Sequence, residues 1–314
     1  MPFEVCIERN SEHPVITIRD TNTGCEAEIY TFGGLLNAFR IPAKGKPVNI
    51  VEGFDSVADA KKNIARGFKS AKLSPFVCRM QNGRYRHGGI THRVNKHYLG
   101  AHAIHGLLYY VVYEIADSKC NEAAAGVKLV YRYTGTDKGY PFPYDVLLNW
   151  KLETGNKLSI TTIITHQNSH AIPLADGWHP YFTLGGGVDD WTLQFNSQTQ
   201  LEYNEDLLPT GKRITDTRFL QARSLRDITL DNSFEFNTSD TQPQCILSND
   251  ILRLTVEPDK AYPILQVYTP PDRKSIAIEN LSGAPDNFNN GIHLLLLPPD
   301  QPKAFTTSYT VTVL

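Results

Sequence analysis

"DVLLNWKLETGNKLSITTIITHQNS", Asp145 to Ser169, is the stretch whose periodicity settles the fold class. Val146, Leu148, Trp150 and Leu152 recur at every second position before Glu-Thr-Gly-Asn, and Leu158, Ile160 and Ile164 keep the same period after it. A period of two is that of a strand with one face buried, and turn chemistry between two such runs joins them as antiparallel neighbours. The same texture returns in "PVITIRD", "CEAEIYTF", "GVKLVYRYTG", "WTLQFNS", "ILRLTVEPD", "PILQVYTPPD", "KSIAIEN" and "SYTVTVL". Only "FDSVADAKKNIARG", Phe54 to Gly67, reads as helical. No Gly/Ser linker, charge block or fixed-period repeat interrupts the pattern. The expectation is an all-β chain, a large antiparallel double-layered β-sandwich forming a single domain over residues 1–314.

Composition narrows the function classes. Apolar residues make up 41% of 314 and charged residues 20%, with a formal net charge of −2, so a core is available and no polyanionic partner is advertised. The densest basic cluster, "RGFKSAK" at Arg66 to Lys72, is short and reads as a solvated loop. Nucleic-acid binding is therefore not expected. Five cysteines without paired spacing, at 6, 25, 78, 120 and 245, point to reduced thiols and a cytosolic home. "MPFEVCIERN" carries early charges and reads as no export signal, and no apolar run approaches the about 18 residues of a membrane span. No membrane partner is expected, and the oligomeric state is left open.

Four places hold polar residues that the alternation does not require. Arg79 interrupts an apolar run in "SPFVCRMQNGRYRHGG"; His105 precedes Gly106 in "AHAIHGLLYYVVYEI"; His179 sits among aromatics in "DGWHPYFTLGGG"; Glu279 ends a strand in "IAIENLSGAPDNFNNG". Each has a bland reading, as an edge charge, a loop histidine, a core histidine or an exposed strand end. Together they form an acid/base inventory with a guanidinium to hold an oxygen-rich ligand. His87, His92, His97, His102 and His105 crowd one segment, but no H-E-x-x-H or cysteine pair accompanies them, so no metal is expected. "GGG" at Gly185 to Gly187 matches no phosphate-cradling loop, and no G-x-S-x-G elbow is present.

Read in order, these motifs resemble those of the aldose 1-epimerase family, the galactose mutarotase-like sugar epimerases. The resemblance runs through "FGGLLNAFRIP", "KPVNIVEGFDS", "NGRY", "AIHGL", "GYPFPYDV", "GWHPYF", "YNEDLLPTGKRITDT", "LDNSFEF" and "IENLSGAPDNFNNG" to "SYTVTVL". It implies the family's supersandwich fold and the interconversion of α and β anomers of a hexose or related aldose, with no cofactor. It implies Glu279 as general base on the anomeric hydroxyl, His179 as general acid on the ring oxygen, and His105 as a second active-site histidine. Arg79 and Asp231 would bind sugar hydroxyls, and Trp178, Tyr181 and Phe182 offer aromatic faces to the sugar, with Trp178 taken as a substrate-binding residue. Glu279 would start ionised and His179 protonated. Cys78 stands where the family has an asparagine before its arginine, and Trp178 and Pro180 flank His179 where an asparagine or threonine is common, so the sugar is left open. Two alternatives remain: a hexose-6-phosphate mutarotase using Arg84, Arg86 and Arg93, or a carbohydrate-binding protein without catalysis.

Overall fold

The hairpin expected within Asp145 to Ser169 is present. Tyr144–Glu153 and Lys157–Thr165 run antiparallel, with Asp145 opposite Thr165 and Glu153 opposite Lys157. In the computed structural model, which describes residues 1–9, 13–237 and 244–314, burial alternates along both strands. Leu148, Trp150, Leu158 and Ile160 point into the core, and each large apolar side chain so buried contributes about 1.5–3 kcal/mol.

This hairpin lies within a nine-stranded antiparallel sheet. The spatial order is Glu114–Cys120, Ala124–Tyr133, Tyr144–Glu153, Lys157–Thr165, Lys303–Val313, Leu252–Pro258, Cys245–Ser248, Thr192–Phe195 and Arg223–Ser224. The closing "SYTVTVL" run therefore pairs in the middle of the sheet, beside a strand from mid-chain. A second sheet of eight strands runs from Pro209–Thr215 through Thr199–Tyr203, Asp231–Glu235, Ile264–Tyr268, Ile276–Leu281 and Gly177–His179 to Ala71–Leu73, with Tyr181–Phe182 also on Ile276–Leu281. The first five strands, Phe3–Glu8 to Lys46–Asn49, form a meander that packs on Ala124–Tyr133 and Tyr144–Glu153.

The two large sheets stack face to face. Trp150 meets Trp178 at 5.5 Å between ring centroids, Phe182 meets Tyr309 at 5.4 Å, and Tyr262 meets Phe305 at 5.5 Å. One hydrophobic core runs from Phe3 to Val311, so the molecule is a single all-β sandwich domain. The helical reading of Phe54 to Gly67 resolves into Val57–Asn63, capped where the Ser56 hydroxyl accepts from the Asp59 N–H at 3.1 Å, followed by a 3-10 turn at Ile64–Arg66. Among the described residues no helix is long and apolar enough to cross a membrane. Because the inner face of the eight-stranded sheet is taken up by the sandwich core, its outer face is free to carry a site.

Candidate active site

Strand register builds the centre of the site. Gly177 lies opposite Leu281, and Tyr181 lies opposite Ala277 on the same strand. Continuing that register puts His179 opposite Glu279, with both side chains on the outer face. His179 Nε2 stands 3.3 Å from Glu279 Oε1, and the two residues are only 5% and 2% exposed. One strand further, Gln266 is opposite Glu279, and its Nε2 donates to Asp231 Oδ1 at 2.8 Å. The Gln266 Oε1 accepts from Ser233 at 2.6 Å and from Tyr203 at 3.0 Å, which fixes the amide's orientation and so presents Asp231 as an acceptor.

Loops complete the cleft from the other side. The strand His102–Ile104 pairs with Arg79–Met80, and the His105 N–H donates to the Cys78 carbonyl at 2.9 Å. Gly106 then needs both its positive φ of 75° and its missing side chain, because a Cβ there would sit 2.2 Å from the Ser74 carbonyl oxygen. This close approach swings the His105 ring edge-on to His179, with centroids 5.0 Å apart. Phe68 backs His105 at 4.5 Å, and the Asp286 N–H holds the Arg79 carbonyl at 2.8 Å. The open cleft has a volume of about 240 Å³, below the roughly 300–1,000 Å³ of sites for drug-sized ligands and in keeping with a single small polar molecule.

Burial dominates the electrostatics. It pulls the His179 imidazole down to about 4. Burial, and then the negative charge of Asp231, push the Glu279 carboxyl well above its ordinary range. His105 is held well below the usual imidazole value by burial, then by His179 and Arg79. Asp231 is raised by burial against the opposing pull of Arg79 and the Gln266 hydrogen bond. The expected charged pair is thus replaced by one in which desolvation favours the neutral form of each partner. Glu279 Oε2, His179 Nδ1 and His105 Nδ1 are buried without a hydrogen-bond partner in the protein, so three polar atoms in or beside the cleft are left for a ligand or water.

Glu279, His179, His105, Arg79 and Asp231 all line this one cleft. Trp178 does not. Adjacent residues on a strand face opposite ways, so with His179 outward Trp178 must point inward; it is 3% exposed, packed on Trp150. Phe182 is inward for the same reason, and only Tyr181 of the three aromatics reaches the cleft, stacked on His179 at 5.0 Å. The "RGFKSAK" stretch is also not a simple solvated loop: Lys72 is wholly buried against Asp176, Phe68 backs the cleft, and only Arg66 at its mouth is exposed. Arg84, Arg86 and Arg93 are exposed on a separate hairpin, Arg84–His87 with Ile90–Arg93, and do not line the cleft. Among the described residues no three His, Cys, Asp or Glu side chains gather as a metal site; His92 stacks on Tyr85 and His97 packs on Tyr109. Gln266, Tyr203 and Phe68 escaped the sequence reading. Gln266 could have been found as the outward polar position in "PILQVYTPPD", once that strand was set beside "KSIAIEN".

Residues 14–310 match the family model for aldose 1-epimerase. The chain belongs to the aldose 1-epimerase family. An uncharacterized Escherichia coli protein, YihR, is 28% identical over 247 residues, covering 73% of this chain and 75% of that one. An aldose 1-epimerase from Streptococcus thermophilus is 24% identical over 209 residues, 62% of this chain and 56% of its own length. Among solved structures, a galactose mutarotase-like protein from Clostridium acetobutylicum superposes with a TM-score of 0.88 at 18% identity over 100% of this chain and 99% of that one. Galactose 1-epimerase from Lactobacillus acidophilus gives 0.84 at 19% identity, over 99% of each chain. At such identities the superpositions speak for the fold, an aldose-epimerase sandwich from end to end.

Proposed function

We propose that this aldose 1-epimerase family member interconverts the α and β anomers of a neutral monosaccharide. The observation that carries the proposal is the pairing of His179 Nε2 with Glu279 Oε1 at 3.3 Å across neighbouring strands. The anomeric hydroxyl oxygen and the ring oxygen of a cyclic aldose are bonded to one carbon, so an acid and a base serving them must stand side by side on one edge of the sugar. Opposed positions on adjacent antiparallel strands supply that spacing.

The pair needs one proton between its two members. A bound sugar provides the hydrogen bonds that a buried carboxylate lacks, with its anomeric hydroxyl donating to Glu279, and so favours the ionised base and the protonated His179. Glu279 then takes the hydroxyl proton while His179 gives its proton to the ring oxygen, and the bond from the anomeric carbon to that oxygen breaks. The open aldehyde turns about its adjacent carbon–carbon bond, and the steps reverse on the other face. Arg79 and Asp231 would hold sugar hydroxyls as donor and acceptor, and Tyr181 offers a ring edge beside His179. No redox step or electron sink is involved, so no cofactor is proposed. Free thiols at all five cysteines fit the cytosol as the place of work.

The test is anomer exchange followed by saturation-transfer NMR with glucose, galactose, xylose, arabinose and glucose 6-phosphate. Acceleration with a neutral sugar is the expected result. Acceleration with glucose 6-phosphate alone would replace it with the phosphorylated-sugar reading, which would rest on Arg66 at the cleft mouth. Binding across the panel without acceleration would point to a carbohydrate-binding role instead.

A further inference from the structure

Lys72 and Asp176 are each 0% exposed, and the chemistry of the cleft does not use them. Both lie on the inner side of the eight-stranded sheet, directly behind the acid/base pair. Lys72 is opposite Trp178 in the register, with its Nζ 4.6 Å from that ring, while Ala71 is opposite His179. Two charges taken wholly out of water gain little stability over well-packed apolar side chains of the same volume. Stability alone therefore does not explain the pair, whereas hydrogen-bond direction does.

Asp176 is a hub. Its carboxylate accepts from Lys72 and, at 2.6 Å, from the Tyr262 hydroxyl. Its backbone N–H donates to the Ser282 hydroxyl at 2.8 Å, and its carbonyl accepts the Ser282 N–H at 2.9 Å. Lys72 also donates to the Gly177 carbonyl at 3.3 Å and to the Thr162 hydroxyl of the facing sheet at 3.2 Å. The Asp176–Ser282 contact continues the ladder in which Gly177 faces Leu281, three positions from His179 and Glu279. At Gly177 the strands approach so closely that a Cβ would sit 2.6 Å from the Leu281 side chain. The ladder is thus clamped just below the acid/base pair, and the clamp's side-chain end is Lys72 with Asp176.

We propose that Lys72 and Asp176 are positioning residues that set the separation of His179 from Glu279. The proposal rests on the mutarotase reading above for its kinetic consequence. An apolar pair would fill the same space, but it would hold neither the Gly177 carbonyl nor the Tyr262 hydroxyl in a fixed direction, and the strand carrying His179 would be free to slide by up to about 1 Å. Misplacement on the ångström scale from a change remote from the chemistry is worth up to about 100-fold in rate.

The experiment is the K72M/D176L double variant, which removes both charges together and so leaves neither one unpaired. On a sugar the wild type turns over, kcat should fall about 10- to 100-fold with KM within about twofold, the fold staying intact by circular dichroism. D176N alone keeps one of the two acceptor oxygens that Lys72 and Tyr262 now use, so it should lower kcat by less than the double variant, with KM again held. Wild-type kcat in the double variant, or a raised KM with kcat held, would overturn the proposal. Should the double variant not fold, S282A opens the same clamp by one hydroxyl and carries the same expectation of lowered kcat at constant KM. Histidine-ring NMR separates this proposal from the functional one. If the wild type exchanges no sugar, the mutarotase reading fails by itself, while unchanged His179 ring resonances in the variants would overturn the positioning role whatever the activity.

Discussion

Replacing Glu279 by glutamine keeps the volume and one acceptor oxygen but removes the carboxylate that stands beside His179. Glu279 is 2% exposed, with Oε1 at 3.3 Å from His179 Nε2 and Oε2 unpartnered. A positioned general base is worth about 10²- to 10⁴-fold. At about 1.4 kcal/mol per decade, the E279Q barrier should rise by roughly 3–5 kcal/mol. Sugar affinity should hold within a few-fold, because the amide oxygen still accepts from the anomeric hydroxyl while Arg79 and Asp231 are untouched. Saturation-transfer NMR reads the exchange rate, and titration calorimetry the affinity. Exchange retained within about threefold of wild type would refute the assignment of Glu279 as base, since among the described residues no other carboxylate pairs with His179.

The same variant tests the electrostatics independently of activity. Burial raises the Glu279 carboxyl above its ordinary value, so the folded state keeps a proton that the unfolded chain releases. The stability linked to this group is fully present below the unfolded carboxyl value, about 4.3, and is lost as pH rises through the folded one. Glutamine carries no such linkage. The melting temperature of E279Q relative to wild type should therefore climb from pH 4 to pH 8, and a difference independent of pH would mean that Glu279 is not desolvated as the structure has it.

Three further outcomes follow from the geometry. With His179 pulled down to about 4 by burial, the acid limb of kcat/KM should lie near pH 4 rather than near the ordinary imidazole value, because the surplus proton that stops catalysis binds only there; a limb at about 6.5 would contradict a desolvated pair. R79M removes a charged hydrogen-bond donor from the cleft, a loss of about 1.5–3 kcal/mol, and should raise KM roughly 10- to 100-fold with the fold unchanged by circular dichroism. W178F should lower stability by about 1–3 kcal/mol in urea denaturation while leaving KM where it is, since Trp178 packs on Trp150 and does not line the cleft.

The contrast between Trp178 and His179 marks what could be read from the chain alone. The alternation in Tyr144–Glu153 and Lys157–Thr165 announced the sandwich, because burying one face of a strand is a local requirement written residue by residue. The motifs that resemble the family's pointed to Glu279, His179, His105, Arg79 and Asp231, and the fold gathers these five in one cleft. The two-residue period also implied that Trp178 and His179 cannot face the same way, so the placement of Trp178 in the cleft was an error that the sequence itself could have corrected. Gln266 and Lys72 were hidden for a different reason. Their roles depend on which distant strand lies next to theirs: Gln266 matters because its strand runs beside the one with Glu279, and Lys72 because residue 176 is brought to it across 104 positions of chain. A lysine in "RGFKSAK" looks solvated until its strand is known to be the neighbour of Gly177–His179.

That dependence on register bears on how such a site keeps its precision. Catalysis by an opposed acid and base demands only that two strands carry the right residues at facing positions, an arrangement that any antiparallel pair offers with side chains about 4.5–5.5 Å apart at Cβ. What an ordinary pair does not offer is a fixed slide. In this sheet His179 lies on a strand of three residues, Gly177–His179, which Pro180 separates from Tyr181–Phe182. Pro180 has no N–H to give to the ladder, although its carbonyl still accepts the Ile278 N–H at 3.3 Å. So short a segment has only a few backbone hydrogen bonds, shared between Ile276–Leu281 on one side and Ala71–Leu73 on the other, to hold its register. The core side adds to that hold, through Gly177 at the close approach and Asp176 clamped to Ser282, Lys72 and Tyr262. The polar groups buried between the sheets and those in the cleft are thus two faces of one strand, and a change made in the core behind His179 should be read out in the rate before it is read out in the affinity.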